Sequence, residues 1–143
     1  MLAGLVADIA RGGRDVSVIA RRPARLQALA ARHPGIHPLP LDYYDAEALR
    51  RGLRECIARF GPIRRCVAWM HDDDIGRAME IARLTGEVYC QVLGSASADP
   101  SRPEALGRWR DAFKALDRPK LLLVVLGFMI DGGRARWLTD SEI

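Results

Sequence analysis

Apolar residues along this chain switch repeatedly between a repeat of three to four positions and short continuous or alternating runs, which predicts helices and strands in alternation. Leu2, Leu5, Val6 and Ile9 lie at helical spacing and Gly12-Gly13 follows as a stop, so residues 1–11 read as a helix. Val16–Ala20 is a short apolar strand; Pro23 then opens a helix with Leu26 and Leu29 on its inner face, ending before Pro34. Residues 36–41 are extended, and Pro38 and Pro40 cannot donate to a ladder, which puts this strand at or near a sheet edge. Asp45 stands ready to cap a helix striped with Leu49, Leu53, Cys56, Ile57 and Phe60, which Gly61-Pro62 breaks. A strand over 63–70 turns Cys66, Val67, Ala68 and Trp69 inward, and a helix over 72–85 stops at Gly86. After a strand over 88–93 and a helix over 103–116, residues 120–130 form the most apolar strand, expected to be covered on both faces; Gly132-Gly133 turns the chain out of it.

Strands alternating with helices give an α/β fold with a mostly parallel sheet and helices on both faces, and ligands in such sheets bind beyond the carboxyl ends of the strands. Arg21 and Arg22, Asp42 and Tyr43, Met70 and His71, Gly94 and Ser95, and Gly127 and Phe128 stand at those ends. The 143 residues, 49% of them hydrophobic, suffice for one domain spanning 1–143 and not comfortably for two. Net charge is +4, but the 22 basic residues are interspersed with 18 acidic ones, so the sequence shows no nucleic-acid stripe and leaves anionic small ligands open. Cys56, Cys66 and Cys90 lack the close pairing of a disulfide framework or zinc site, which points to a reduced, cytoplasmic protein. The apolar run 121–130 is too short to span a membrane.

In doubly wound dinucleotide folds an acidic residue at the end of the second strand suits the free 2′-hydroxyl of NAD, and an arginine accommodates the 2′-phosphate of NADP. Arg21 and Arg22 fall at such a strand end, although the same pair also reads as solvated charge at a helix start. His71 followed by Asp72, Asp73 and Asp74 invites a metal reading, but consecutive carboxylates diverge and no second ligand stands at helical spacing. A helix N-cap explains the acids more simply, and no metal is expected. Ser95 reads equally as a catalytic hydroxyl or a turn residue, Trp69 and Trp109 as core or cleft wall, and the cysteines as small buried hydrophobes.

With these elements in order, the chain resembles the short-chain dehydrogenase/reductase superfamily over nearly its whole length. The matching residues are Val18-Ile19-Ala20-Arg21-Arg22-Pro23 with Arg25-Leu26, Leu41-Asp42-Tyr43, Val67-Ala68-Trp69 and Gly94-Ser95. The resemblance implies a Rossmann-like doubly wound sheet and a small nucleotide cofactor, NADP in preference to NAD, held by Arg21, Arg22, Asp42 near the adenine and Tyr43 in the same pocket. It places Ser95 at the catalytic serine's location and leaves a homo-oligomer open; His71 reads either as facing the nicotinamide side of the cleft or as part of a solvated loop. Three departures stand against reductase chemistry. The family's first strand and glycine-rich phosphate turn have no counterpart before Met1. No Tyr-x-x-x-Lys follows Ser95, where the helix offers Trp109, Phe113 and Lys114 instead. The Asn-rich turn after the fourth strand is replaced by Met70-His71-Asp72-Asp73-Asp74. The expectation is therefore an NADP-binding Rossmann protein, an oxidoreductase if it is an enzyme, with a non-catalytic nucleotide sensor or interaction protein and a truncated inactive fragment as rivals. The missing central strand, and a capping-box spacing from Thr139 to Glu142 with only Ile143 beyond it, point to a chain incomplete at both ends.

Overall fold

A computed structural model describes residues 2–70, 74–94 and 104–137. It divides between Gly61 and Pro62 into two compact units. Each is built on a parallel sheet flanked by helices, a Rossmann-like α/β fold, and the second also carries an antiparallel hairpin.

The first unit runs α1 (Ala3–Arg11), β1 (Val16–Ala20), α2 (Pro23–Arg32), β2 (Ile36–Pro40) and α3 (Ala46–Phe60). The left-handed residue after α1 is Gly13, at φ 73°, while Gly12 keeps φ −73°. Pro23 sits in the first turn of α2, where the lost N–H has no helical partner anyway, and Leu26 is its buried residue. β1 and β2 pair in parallel, with Val16 beside Ile36 and Ala20 beside Pro40. Among the described residues β2 has no other neighbour, as its prolines require. Asp45 caps α3, its Oδ1 accepting from the N–H groups of Glu47 and Ala48, both at 3.0 Å. The buried stripe of α3 is Leu49, Gly52, Leu53 and Cys56, and the Cys56 thiol donates to Ser17 Oγ at 3.0 Å. At the amino end of the sheet, His37 stacks on Phe60 with centroids 4.0 Å apart and meets Asp15 Oδ1 through Nε2 at 2.8 Å. Since Ser17 and His37 are register partners, both contacts fix α3 to one face of this sheet.

The second unit runs β3 (Ile63–Ala68), α4 (Ile75–Arg83), β4 (Thr85–Leu93), α5 (Glu104–Lys114) and β5 (Lys120–Val125), with the strands parallel in the order β3-β4-β5. Two right-handed crossovers that advance the same way across a sheet place both helices on one face. Tyr89, Gln91 and Leu93 are buried on that face, where the Tyr89 ring lies 5.3 Å from Phe113 of α5. The other face leaves Val67, Leu122 and Val124 38%, 41% and 43% exposed.

Four sequence expectations are corrected here. Val67 points away from the covered face, because Cys66 and Ala68 take the inward positions of the two-residue repeat. The helix before β4 stops at Arg83 with Leu84 as its C-cap, and Gly86 lies inside β4. Ile63 pairs with Thr85 and Arg65 with Val88, so β4 accommodates an extra residue around Gly86. The apolar run 120–130 is two strands: β5 ends at Val125, and β6 (Phe128–Asp131) forms an antiparallel hairpin with β7 (Arg134–Trp137) through Gly132 and Gly133, both at positive φ. β5 alternates half-buried and exposed instead of being covered on both faces, as the one-sided helices dictate.

Glycine at position 35 is a steric requirement. A Cβ there would lie 2.8 Å from the backbone oxygen of Arg14, on the connection that feeds β1, and a backbone atom cannot swing away as a side chain can. Gly35→Ala is expected to destabilise the protein by about 1–3 kcal/mol in urea unfolding, whereas Gly4→Ala, with open space around its new methyl group, should be neutral or stabilising. Equal midpoints for the two variants would contradict this.

Candidate functional site

Parallel pairing brings the carboxyl ends of β1 and β2 to the same level, and the Leu41 N–H still reaches Ala20 O at 3.2 Å. Arg21 leaves β1 at that point, and Asp42, Tyr43 and Tyr44 leave β2 beside it. Asp42 folds the turn, its Oδ1 accepting the Tyr44 N–H at 3.0 Å, a side chain standing in for a backbone turn. The two tyrosine rings then lie 4.7 Å apart, tilted by 42°. The Arg21 guanidinium carbon stands 5.7 Å from the Tyr43 centroid and 5.4 Å from the Tyr44 centroid, within cation–π range of both. Arg21 is itself exposed. Arg22 is exposed too and takes the N-cap position of α2 in extended backbone; no side chain caps that helix end. A helix start of this kind presents unpaired N–H groups and partial positive charge.

The structure thus gathers three of the four sequence-expected cofactor residues, Arg21, Asp42 and Tyr43, and sets Arg22 next to them in the chain. Tyr44 was missed by sequence reasoning. Its signal was present: two aromatics directly after an acid at a strand end, in register with an arginine. The two expected catalytic residues, His71 and Ser95, lie outside the described residues, as do Asp72 and Asp73. Asp74 is described and caps α4, accepting the Arg77 N–H at 3.0 Å on Oδ1 and pairing with the Arg77 guanidinium at 3.0 Å through Oδ2. Among the described residues no three His, Cys, Asp or Glu side chains gather as metal ligands, and no helix is long and apolar enough to cross a membrane.

No protein-family model matches the chain, and no curated protein matches it. A solved structure with a similar backbone is that of the KRED1-Pglu enzyme, with 22% sequence identity and a TM-score of 0.52. The match covers 79% of this chain and 60% of that one, so the chain spans about three-fifths of that enzyme's length. Likeness at this level shows the fold alone.

The second unit buries its own polar groups without making them reactive. Tyr89 donates its hydroxyl to Gln91 Oε1 at 2.9 Å, and Gln91 Nε2 donates to Val92 O at 3.1 Å. Burial pushes the Tyr89 phenol well above its ordinary range, the opposite of what a proton-donating phenol needs at neutral pH. Trp109 and Phe113, 2% and 5% exposed, are core residues of α5. Burial, with the neighbouring Cys90 adding to it, pushes the Cys66 thiol from 9.0 up to about 12; burial raises Cys90 as well. Both are poor nucleophiles at neutral pH. Because the Cys66 thiol titrates higher in the folded than in the unfolded chain, the stability it confers is complete below about pH 8.5 and is lost as pH rises through about 12. Unfolding across that alkaline range should show a steeper loss of stability in the native protein than in Cys66→Ala, and parallel curves would contradict it.

Proposed function

We propose that this chain binds NADP at the carboxyl ends of β1 and β2 and is related to the short-chain dehydrogenases/reductases. The observation that carries the reading is the exposed Arg21 guanidinium, set against two tyrosine rings at the end of β1 where no acidic residue stands. A cation there favours a 2′-phosphate, and an acid would favour a free ribose hydroxyl. Arg21 would hold the phosphate, with Arg22 and the open start of α2 adding positive charge. Tyr43 would line the adenosine pocket, and Asp42, besides approaching the adenine, fixes the turn that carries both rings. When bound, the nicotinamide supplies hydride chemistry, and the protein's part is to orient it. His71 and Ser95 are the candidates for handling a proton at the reacting end. The fold shared with the KRED1-Pglu enzyme supports a nucleotide-binding protein of oxidoreductase type, and the three free cysteines fit a reducing, cytoplasmic setting.

A second reading, a nucleotide sensor without turnover, is favoured by the burial of Trp109 and Phe113. They occupy the helix in which the family carries its tyrosine, and neither can donate a proton to a carbonyl oxygen.

Arg21→Ala with Arg22→Ala is expected to weaken NADPH binding at least tenfold, the scale of a charged hydrogen bond of about 1.5–3 kcal/mol, and to change NADH binding little. Equal losses for both nucleotides would overturn the 2′-phosphate assignment. Across a panel of ketones and aldehydes, NADPH oxidation should be absent or very slow; ready turnover abolished by Ser95→Ala would instead establish reductase chemistry through that serine.

A further inference from the structure

Tyr44 has no place in the core. The residue is 40% exposed, and its ring stands 5.4 Å from the Arg21 guanidinium carbon, as close as the 5.7 Å of Tyr43 and likewise within cation–π range. Its backbone is held by the 3.0 Å hydrogen bond from its N–H to Asp42 Oδ1, so the ring rises from a fixed turn. Arg21 is a long side chain at an exposed strand end, and such a side chain loses much rotamer freedom when a ligand immobilises it. A guanidinium offers its planar face to aromatic rings and its N–H fork to phosphate, so a ring contact and a phosphate contact do not compete.

We propose that Tyr44 is a positioning residue: it holds Arg21 ready for a phosphate before the nucleotide arrives, and so sets the preference for a 2′-phosphorylated nucleotide. This rests on the NADP assignment above. Asp42 builds the turn, Tyr44 steadies the guanidinium, and Arg21 makes the contact. The phenol hydroxyl has no part in this, since the ring face alone attracts the cation.

The test is a set of dissociation constants for NADPH, NADH and 2′,5′-ADP on the full chain, with melting curves to establish folding. Tyr44→Leu should weaken NADPH and 2′,5′-ADP about two- to fivefold, the range of one exposed cation–π contact, and leave NADH unchanged. Tyr44→Phe should restore native affinity. In an Arg21→Ala background, Tyr44→Leu should have no further effect on NADPH, which a merely structural role would not predict. If the native protein prefers NADPH and Tyr44→Leu keeps the full preference, or if Tyr44→Phe loses as much as Tyr44→Leu, the positioning role is overturned and the NADP assignment stands. If the native protein shows no preference for the 2′-phosphorylated nucleotides, both fall together. Should Tyr44→Leu melt early, Tyr44→Met takes its place, with the same outcomes deciding.

Discussion

Because β1 and β2 run parallel with Val16 beside Ile36 and Ala20 beside Pro40, both strands deliver their next residues at the same end of the sheet. Everything in the candidate site follows from that register. A slip of one residue would turn either Ser17 or His37 away from α3, according to which strand moved, and so break either the Cys56–Ser17 hydrogen bond or the His37–Phe60 stack. The contacts that hold α3 to one face therefore also hold Arg21 opposite Tyr43 and Tyr44. The prolines of β2 limit that strand to one neighbour, and the steric demand at Gly35 fixes how the chain enters it.

The second unit obeys a different constraint. With the order β3-β4-β5 and α4 packed on α5, the helices cover one face and leave Val67, Leu122 and Val124 on the other. The covered face is not purely apolar: the Tyr89 hydroxyl donates to Gln91 Oε1 within it, and Gln91 Nε2 donates to Val92 O. Partnered in this way, both groups avoid the cost of an unmade buried hydrogen bond, about 1–3 kcal/mol each. The same burial raises the phenol and the thiols of Cys66 and Cys90, so this core is chemically quiet near neutrality.

Local rules carried most of the fold. Pro23, Asp45 and Gly61 mark the start of α2, the start of α3 and the end of α3, and each acts through its own backbone or nearest turn, so sequence shows it directly. The misread places depend on tertiary context. The run 120–130 looks continuous because, Lys120 and Gly127 apart, it is apolar throughout; the pairing of β6 back on β7 breaks it after Val125, with Gly127 in the gap. Gly86 looks like a helix stop, and the extra residue that β4 accommodates against β3 places it in a strand instead. At the site, strand-end position singled out Arg21 as a candidate, and the family resemblance added Asp42 and Tyr43. In sequence Tyr44 reads only as part of the turn that ends the strand; its ring contact with Arg21 joins two strands and becomes visible once their register is known.

The central claim is that the end of β1 and β2 is built for a phosphate on an adenosine ribose. The most direct measurement is a crystal structure of the full chain with 2′,5′-ADP. It should place the 2′-phosphate within hydrogen-bond distance of the Arg21 guanidinium, with the Tyr43 and Tyr44 rings still against that side chain. A 2′-phosphate bound elsewhere, or lying in solvent away from Arg21, would contradict the account.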